Sequence, residues 1–142
     1  MTHKYIGTKI ITAWAAAGKD GAPGYGVKYE DGYTSWSPKA QFEAAYRDIE
    51  GPVQALTFGD ALHMLKLGKR VARAGWNGKG MFVYYVPEAS YPVQTWAARA
   101  YFGDDSMVPY NAYFAIKNVN DTVSTWVPSI NDCLAEDWIV ID

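Results

Sequence analysis

The chain has 142 residues, and its 49% hydrophobic content can form one or two compact cores, which excludes a large multidomain protein. Thirteen Lys and Arg residues against fifteen Asp and Glu residues give a net charge of -2, too balanced for duplex DNA or RNA binding. The single cysteine excludes an internal disulfide, and no apolar run has the length of a signal peptide or a membrane span, so we expect a cytosolic protein without membrane partners.

The first fifty residues predict a small β-β-α module. A β-prone stretch over 5–14 precedes a glycine-rich loop over 15–26 that we expect to be mobile. The pair Asp31-Gly32 between two β-prone runs predicts a hairpin. Ser37-Pro38 then predicts the start of a helix, with apolar residues at helical spacing: Phe42, Ala45, Tyr46 and Ile49.

The pair Gly51-Pro52 predicts the end of that helix and a domain boundary. We therefore assign residues 1–52 to an N-terminal module and residues 55–142 to a second domain. The spacing of Thr57 and Asp60 predicts a capped helix over 58–67, ended by Gly68 in the left-handed conformation.

A strand over 69–76, a tight turn at Asn77-Gly78 and a return strand over 81–86 are predicted next. Residues 87–109 stay unassigned, apart from a short alanine-rich helix near Trp96. The rest of the chain predicts a hairpin over 112–127, a helical turn beginning at Ser129 and a final strand over 138–141. The predicted class is α+β, a mainly antiparallel sheet with two or three helices.

The segment from Arg73 to Gly80 has the chemistry of a nucleotide-binding turn. Trp76 can stack on a purine, glycines such as Gly78 let backbone N–H groups approach a phosphate, and Arg73 or Lys79 can add a charged hydrogen bond. The alternative is that Asn77 and Gly78 form an ordinary hairpin turn and that Trp76 belongs to the core.

A second candidate is the segment from Ser129 to Asp132. Short polar side chains such as Ser129, Asn131 and Asp132 can bind ribose hydroxyls, or they can simply cap a helix. Neither the two histidines nor Cys133 has metal-ligand spacing, so we expect no metal and no cofactor. Glu136 and Asp137 read as a solvated turn rather than an acid/base pair. The sequence therefore predicts no catalytic residue.

Four blocks of the second domain, in this order, resemble the Thoeris anti-defence 2 family of phage proteins. The blocks are Thr57-Phe58-Gly59-Asp60-Ala61-Leu62, the strand entry 68–73, the turn 75–81 and Leu134-Ala135-Glu136-Asp137-Trp138. Residues 5–9 and 32–39 resemble a small N-terminal module that occurs in phage proteins.

The resemblance implies a non-catalytic sponge. Such proteins bind a cyclic ADP-ribose isomer made by a bacterial TIR-domain enzyme, and some relatives also bind cyclic dinucleotides. They form homotetramers with ligand pockets between subunits. The implied contacts are Trp76 and Asn77, with Gly78 and Lys79 nearby, and Asp132. The family's usual Ser-Gln-Thr-Asp reads Ser129-Ile130-Asn131-Asp132 here. An enzyme that degrades the nucleotide and a phage structural or interaction protein without a small ligand are the alternatives.

Overall fold

A computed structural model describes residues 1–141, in which four helices and ten strands confirm the predicted α+β class. The helices exceed the two or three that the sequence predicts. Every strand pairing among these residues is antiparallel. The chain divides into two compact units, Met1–Arg47 and Asp48–Asp142. The boundary that the sequence predicts follows this division by a few residues.

The first unit is a three-stranded sheet followed by a helix. Its strands β1 (Thr12–Ala15), β2 (Gly24–Lys28) and β3 (Thr34–Pro38) lie in that order. The predicted hairpin between β2 and β3 is confirmed, and Gly32 takes a φ of 88° in its turn. The unit is therefore β-β-β-α rather than β-β-α. Its strand β2 begins at Gly24, inside the predicted loop.

The predicted bounds of the first helix are wrong. Helix α1 spans Lys39–Ala45 and has no side-chain cap, since Ser37 is paired with Tyr25 in the sheet and stays extended. The helix ends before Tyr46, whose φ of -130° is extended. Beyond it, the Asp48 carboxylate accepts hydrogen bonds from the N–H groups of Glu50 and Gly51, which stabilise a turn instead of a further helical turn.

The second unit packs helix α2 (Phe58–Lys66) on a five-stranded sheet. Strands β4 (Arg70–Arg73), β5 (Phe82–Val86), β8 (Tyr113–Lys117), β9 (Val123–Trp126) and β10 (Trp138–Ile141) lie in the order β10-β4-β5-β8-β9. The Thr57–Asp60 capping box and the left-handed Gly68 are confirmed. Ala61, Met64 and Leu65 are buried at helical spacing, and their core includes Leu56, Val71, Val83 and Trp138.

The segment that the sequence left unassigned is a hairpin with a helix between its strands. Strands β6 (Ala89–Pro92) and β7 (Met107–Tyr110) pair with each other, and helix α3 (Trp96–Phe102) confirms the short helix predicted there. Helix α4 (Ile130–Leu134) leads into β10. Within residues 1–141, none of the helices has the length and apolar character needed to cross a membrane.

Candidate functional site

The connection between β4 and β5 is a loop over residues 74–81, not the predicted tight turn. Strand β4 ends at Arg73, and Gly80, with a φ of 75°, holds the loop's left-handed position. A two-residue Asn-Gly turn of the usual hairpin type needs positive φ at both residues, and neither Asn77 nor Gly78 has it. The prediction of a strand reaching Trp76 is therefore wrong.

Arg73 explains why the strand stops. Its Nε donates to Asp137 Oδ1 at 2.9 Å, and its Nη1 donates to Asp132 Oδ1 at 3.0 Å. The other oxygen of Asp137 accepts from the Gly75 N–H at 2.8 Å, and the Asp137 backbone oxygen accepts from the Ala74 N–H at 2.9 Å. These bonds tie the start of the loop to the segment before β10. We call Arg73, Asp132 and Asp137 the Arg73 cluster.

Asp132 lies in α4 and is the one buried charged residue among the described residues, with 9% exposure. The predicted capping box is confirmed: Asp132 N–H donates to Ser129 Oγ at 3.1 Å, and Ser129 N–H donates to Asp132 Oδ2 at 3.0 Å. Burial raises the pKa of the Asp132 carboxyl, but hydrogen bonds from Ser129 and Arg73 and the nearby Trp76 indole lower it by more, so its net pKa lies below the ordinary value. Asp132 is therefore an ionised, fully engaged carboxylate.

Asp137 is a site residue that the sequence analysis missed. Its interpretation as part of a solvated turn is wrong, since its side chain is 34% exposed and bonded to Arg73 and Gly75. Arg73 lowers its pKa most, burial opposes this, and the Gly75 N–H lowers it further. The sequence pattern offers no signal for it, because Asp137 lies beside Arg73 only through the pairing of β4 with β10, in which Trp138 lies opposite Arg73.

Trp76 is half-buried at the edge of an aromatic cluster. Its ring meets Trp138 edge-on, with centroids 5.5 Å apart, and Trp126 at 6.5 Å. Phe58 and Phe114 complete this cluster, which covers the core on the side of α2. The indole therefore packs on the core and keeps part of its ring accessible, and the stacking of a purine on it stays a prediction.

Apart from Ser129, which caps α4, the remaining candidate residues take no part in these hydrogen bonds. Asn77 and Lys79 are exposed on the loop, and Ser129 and Asn131 are exposed around the start of α4. Gly78 packs so closely that a Cβ there would lie 2.7 Å from Val119, in the turn between β8 and β9. Within residues 1–141, the side chains of Asn77, Lys79 and Asn131 form no hydrogen bond with protein groups, so they are available to a ligand.

The arrangement brings two distant segments together. Arg73, at the end of β4, donates a hydrogen bond to Asp132 from α4, and Trp76 follows in the next loop. In the described part of the chain, no three His, Cys, Asp or Glu side chains are grouped so that they could hold a metal ion. Chemically, the site offers a half-buried indole, a satisfied charge cluster and exposed polar side chains, which are groups that take part in small-molecule recognition.

Comparison with known proteins covers this second unit. The model of the Thoeris anti-defense 2-like domain matches residues 56–141, which include the loop, α4 and the Arg73 cluster. A protein of Bacillus phage SP01 described as Thoeris anti-defense 2 is 36% identical over 87 residues, which cover 61% of this chain and 94% of that protein. The match over more than half of the chain establishes the family resemblance that the sequence motifs predict. The chain belongs to the Thoeris anti-defense 2-like family.

Proposed function

We propose that this protein opposes bacterial Thoeris immunity by binding a cyclic ADP-ribose isomer, made by a TIR-domain enzyme, and holding it chemically unchanged. Family membership supports a phage anti-defence role. The observation that carries the binding mechanism is the half-buried Trp76 indole, three residues beyond Arg73, which joins the end of β4 to Asp132 of α4.

The adenine ring is assigned to Trp76. Trp126 and Trp138 hold the indole edge-on, so its orientation is fixed before a ligand arrives. Stacking of a base on an aromatic side chain contributes about 1–3 kcal/mol. A fixed ring loses less conformational freedom on binding, so more of this free energy is retained as affinity.

The phosphates are assigned to Lys79 rather than to Arg73. The guanidinium of Arg73 is shared by two carboxylates, so the Arg73 cluster carries a net negative charge and does not attract an anion. Lys79 is exposed on the same loop and forms no ion pair within residues 1–141. A lysine hydrogen bond to a phosphate contributes about 1.5–3 kcal/mol.

Arg73 and Asp132 are assigned to holding the site in shape. Together they connect the base of the loop to α4, which fixes the spacing between Trp76 and the exposed side chains of Ser129 and Asn131. Those two residues and Asn77 can bind ribose hydroxyls. We assign all three to the same ligand because the bond between Arg73 and Asp132 joins the segments that carry them.

Sequestration requires more affinity than one monomer's contacts supply. A sponge that holds its ligand at nanomolar concentration needs a binding free energy of about -12 kcal/mol. One stacked base and one lysine contact supply much less than this. Next to Asp132, three apolar side chains are strongly exposed: Val127 at 83%, Ile130 at 75% and Leu134 at 76%. A patch of this kind is typical of an interface. We propose that a second copy covers it, within a homotetramer, and closes the pocket over the ligand.

The lowered pKa values of the two carboxyl groups in the Arg73 cluster fit retention of the ligand without turnover. The carboxyl groups of Asp132 and Asp137 both have lowered pKa values, so they are ionised at neutral pH and cannot act as general acids there. All four of their oxygens accept hydrogen bonds from the protein. Groups engaged in this way support rigidity rather than proton transfer.

The proposal is tested by titration calorimetry of the full chain with a panel of cyclic ADP-ribose isomers and cyclic dinucleotides. We expect one isomer to bind, Trp76→Leu to weaken it at least about tenfold and Lys79→Gln by a similar factor. Trp96→Leu and Lys69→Gln, exposed positions outside the site, are the matched controls and should bind normally. If no cyclic nucleotide binds the wild type, the binding proposal is wrong and a structural or interaction role is favoured.

A further inference from the structure

The three-stranded sheet of the first unit has one open face. Helix α1 covers the other face, where the Phe42 ring stacks on Tyr25 with centroids 4.1 Å apart. Side chains alternate along a strand, so Gly24, Gly26 and Lys28 point away from α1. Residues directly opposite one another in an antiparallel sheet share a face, which allows the open face to be mapped from the strand register.

An aromatic row crosses this face. Trp14 and Trp36 lie opposite Gly26 from the two neighbouring strands. The Trp14 indole lies against Gly26, and the Trp36 indole lies against Gly24 and Gly18, so closely that a Cβ on any of these glycines would overlap the ring. Both indoles are therefore flat on the β2 backbone. They remain 48% and 40% exposed, so each ring presents its outer surface to solvent.

The Trp36 ring is also held at its edge. Its Nε1 donates to the Ala16 carbonyl oxygen at 2.8 Å, which fixes the ring in the plane of the sheet. A core tryptophan would be buried, and a tryptophan left free on the surface would have no such bond. Two aromatic surfaces laid on glycine and held in place form a preorganised stacking platform.

A polar row lies beside the aromatic row. Thr12 and Thr34 lie opposite Lys28, and all three side chains are exposed. Neighbouring strands are about 4.8 Å apart, so the side chain of Lys28 has a threonine on each side at its base. Lys28 forms no ion pair within residues 1–141. On this face the strands carry no carboxylate, so the row is an unneutralised donor set for an anion.

We propose that this face binds a nucleotide, with its base on the indole of Trp14, the more exposed of the two rings, and its phosphate on the row formed by Thr12, Lys28 and Thr34. The two rows are two residues apart along each strand, about 7 Å, a distance that the sugar between a base and its phosphate can span. A neutral sugar or a proline-rich peptide would use the indoles and leave Lys28 unpaired. The positive charge of Lys28 therefore favours a nucleotide, whose phosphate is negative, over a neutral sugar or a proline-rich peptide.

The test is a titration of the full chain with AMP, followed by tryptophan fluorescence and calorimetry, with adenosine as the phosphate-free probe. We expect AMP to bind with a Kd of about 1 mM or tighter and adenosine to bind about tenfold more weakly. Lys28→Gln should weaken AMP about tenfold without altering folding, because its side chain is exposed. Thr34→Val, which keeps the shape of the side chain, should also weaken AMP, and Trp14→Leu should do so at least about fivefold.

Two controls separate this site from the one in the second unit. Lys66→Gln removes an exposed lysine from α2, and Trp76→Leu alters the other proposed nucleotide site; both should leave AMP binding to the first unit unchanged. Equal affinities for AMP and adenosine, or a Lys28→Gln variant that binds AMP normally, would overturn the proposal. So would loss of AMP binding in Trp76→Leu together with its retention in Trp14→Leu.

Discussion

Replacing Asp137 with alanine should destabilise the second unit and loosen its loop. In the folded protein this carboxylate accepts from Arg73 Nε at 2.9 Å and from the Gly75 N–H at 2.8 Å. Alanine removes both acceptors and leaves Arg73 bonded to Asp132 alone. The loop over residues 74–81 then loses its main attachment to the segment before β10.

The expected magnitude follows from those two bonds. A hydrogen bond to a charged group contributes about 1.5–3 kcal/mol when it is shielded from water, and exposed ion pairs contribute about 0–1 kcal/mol. The Asp137 side chain is 34% exposed, so its two bonds lie between these limits. We expect the free energy of unfolding to fall by about 2 kcal/mol, which lowers Tm by about 6 °C in a protein of this size.

The assay is urea unfolding followed by circular dichroism, with ligand binding measured on the same variants. Glu136→Ala is the matched control, because Glu136 is the neighbouring carboxylate and is exposed. It should change the free energy of unfolding by no more than about 0.5 kcal/mol. Equal stability of Asp137→Ala and Glu136→Ala would show that the Arg73 cluster does not hold the loop.

Three further results are expected. Asp132 and Asp137 have lower pKa values in the folded protein than when unfolded, so the stability they contribute is present above about pH 4 and is lost as pH falls through their folded pKa values. In urea unfolding from pH 5 to pH 2, the free energy of unfolding of Asp137→Ala should therefore decline less steeply than that of the wild type. An identical decline in both proteins would contradict this. Gly75→Ala should lower the free energy of unfolding by about 1–3 kcal/mol, because its Cβ would lie 2.7 Å from Asp137 Oδ2. The control is Gly59→Ala in α2, where the nearest contact of the added Cβ is at 3.6 Å; it should be neutral or stabilising in thermal unfolding. Ser129→Ala should lower the free energy of unfolding by about 1 kcal/mol, because it removes the cap of α4. Ser129→Thr keeps the hydroxyl and should have a Tm near that of the wild type. Equal Tm values for the two variants would count against the cap.

Segments whose structure is decided locally could be predicted from the sequence. The capping spacing of Thr57 and Asp60 placed the start of α2, and that of Ser129 and Asp132 placed α4. Gly68 ended its helix as expected, because a left-handed residue without a side chain is favoured there. In each case the signal and the structure lie within a few residues of each other.

Segments decided by distant contacts could not be predicted in this way. The strand β4 stops at Arg73 because of two aspartates far along the chain, at separations of 59 and 64 residues. The first helix begins late because Ser37 is held by β2. Asp137 looked solvated because its partners depend on the pairing of β4 with β10, which the sequence pattern does not reveal.

In the candidate site, too, some features are decided by local sequence and others by distant contacts. The place of Trp76 among glycines predicts that it stacks on a ligand, and this role also stays a prediction; the structure adds the edge-on contacts with Trp126 and Trp138 that fix the ring. The ligand roles of Asn77, Gly78, Lys79 and Asn131 stay predictions. Their exposed or loop positions make them accessible, and only binding measurements can assign them.

We propose that the protein captures a cyclic nucleotide signal and returns it intact. The most direct measurement mixes excess protein with a cyclic ADP-ribose isomer, removes the unbound fraction, denatures the complex by heat and identifies the released molecule by mass spectrometry. We expect the released molecule to have the mass and retention of the starting isomer, in an amount that follows the number of binding sites. Release of a linear or hydrolysed product, or conversion of more ligand than there are sites, would contradict it.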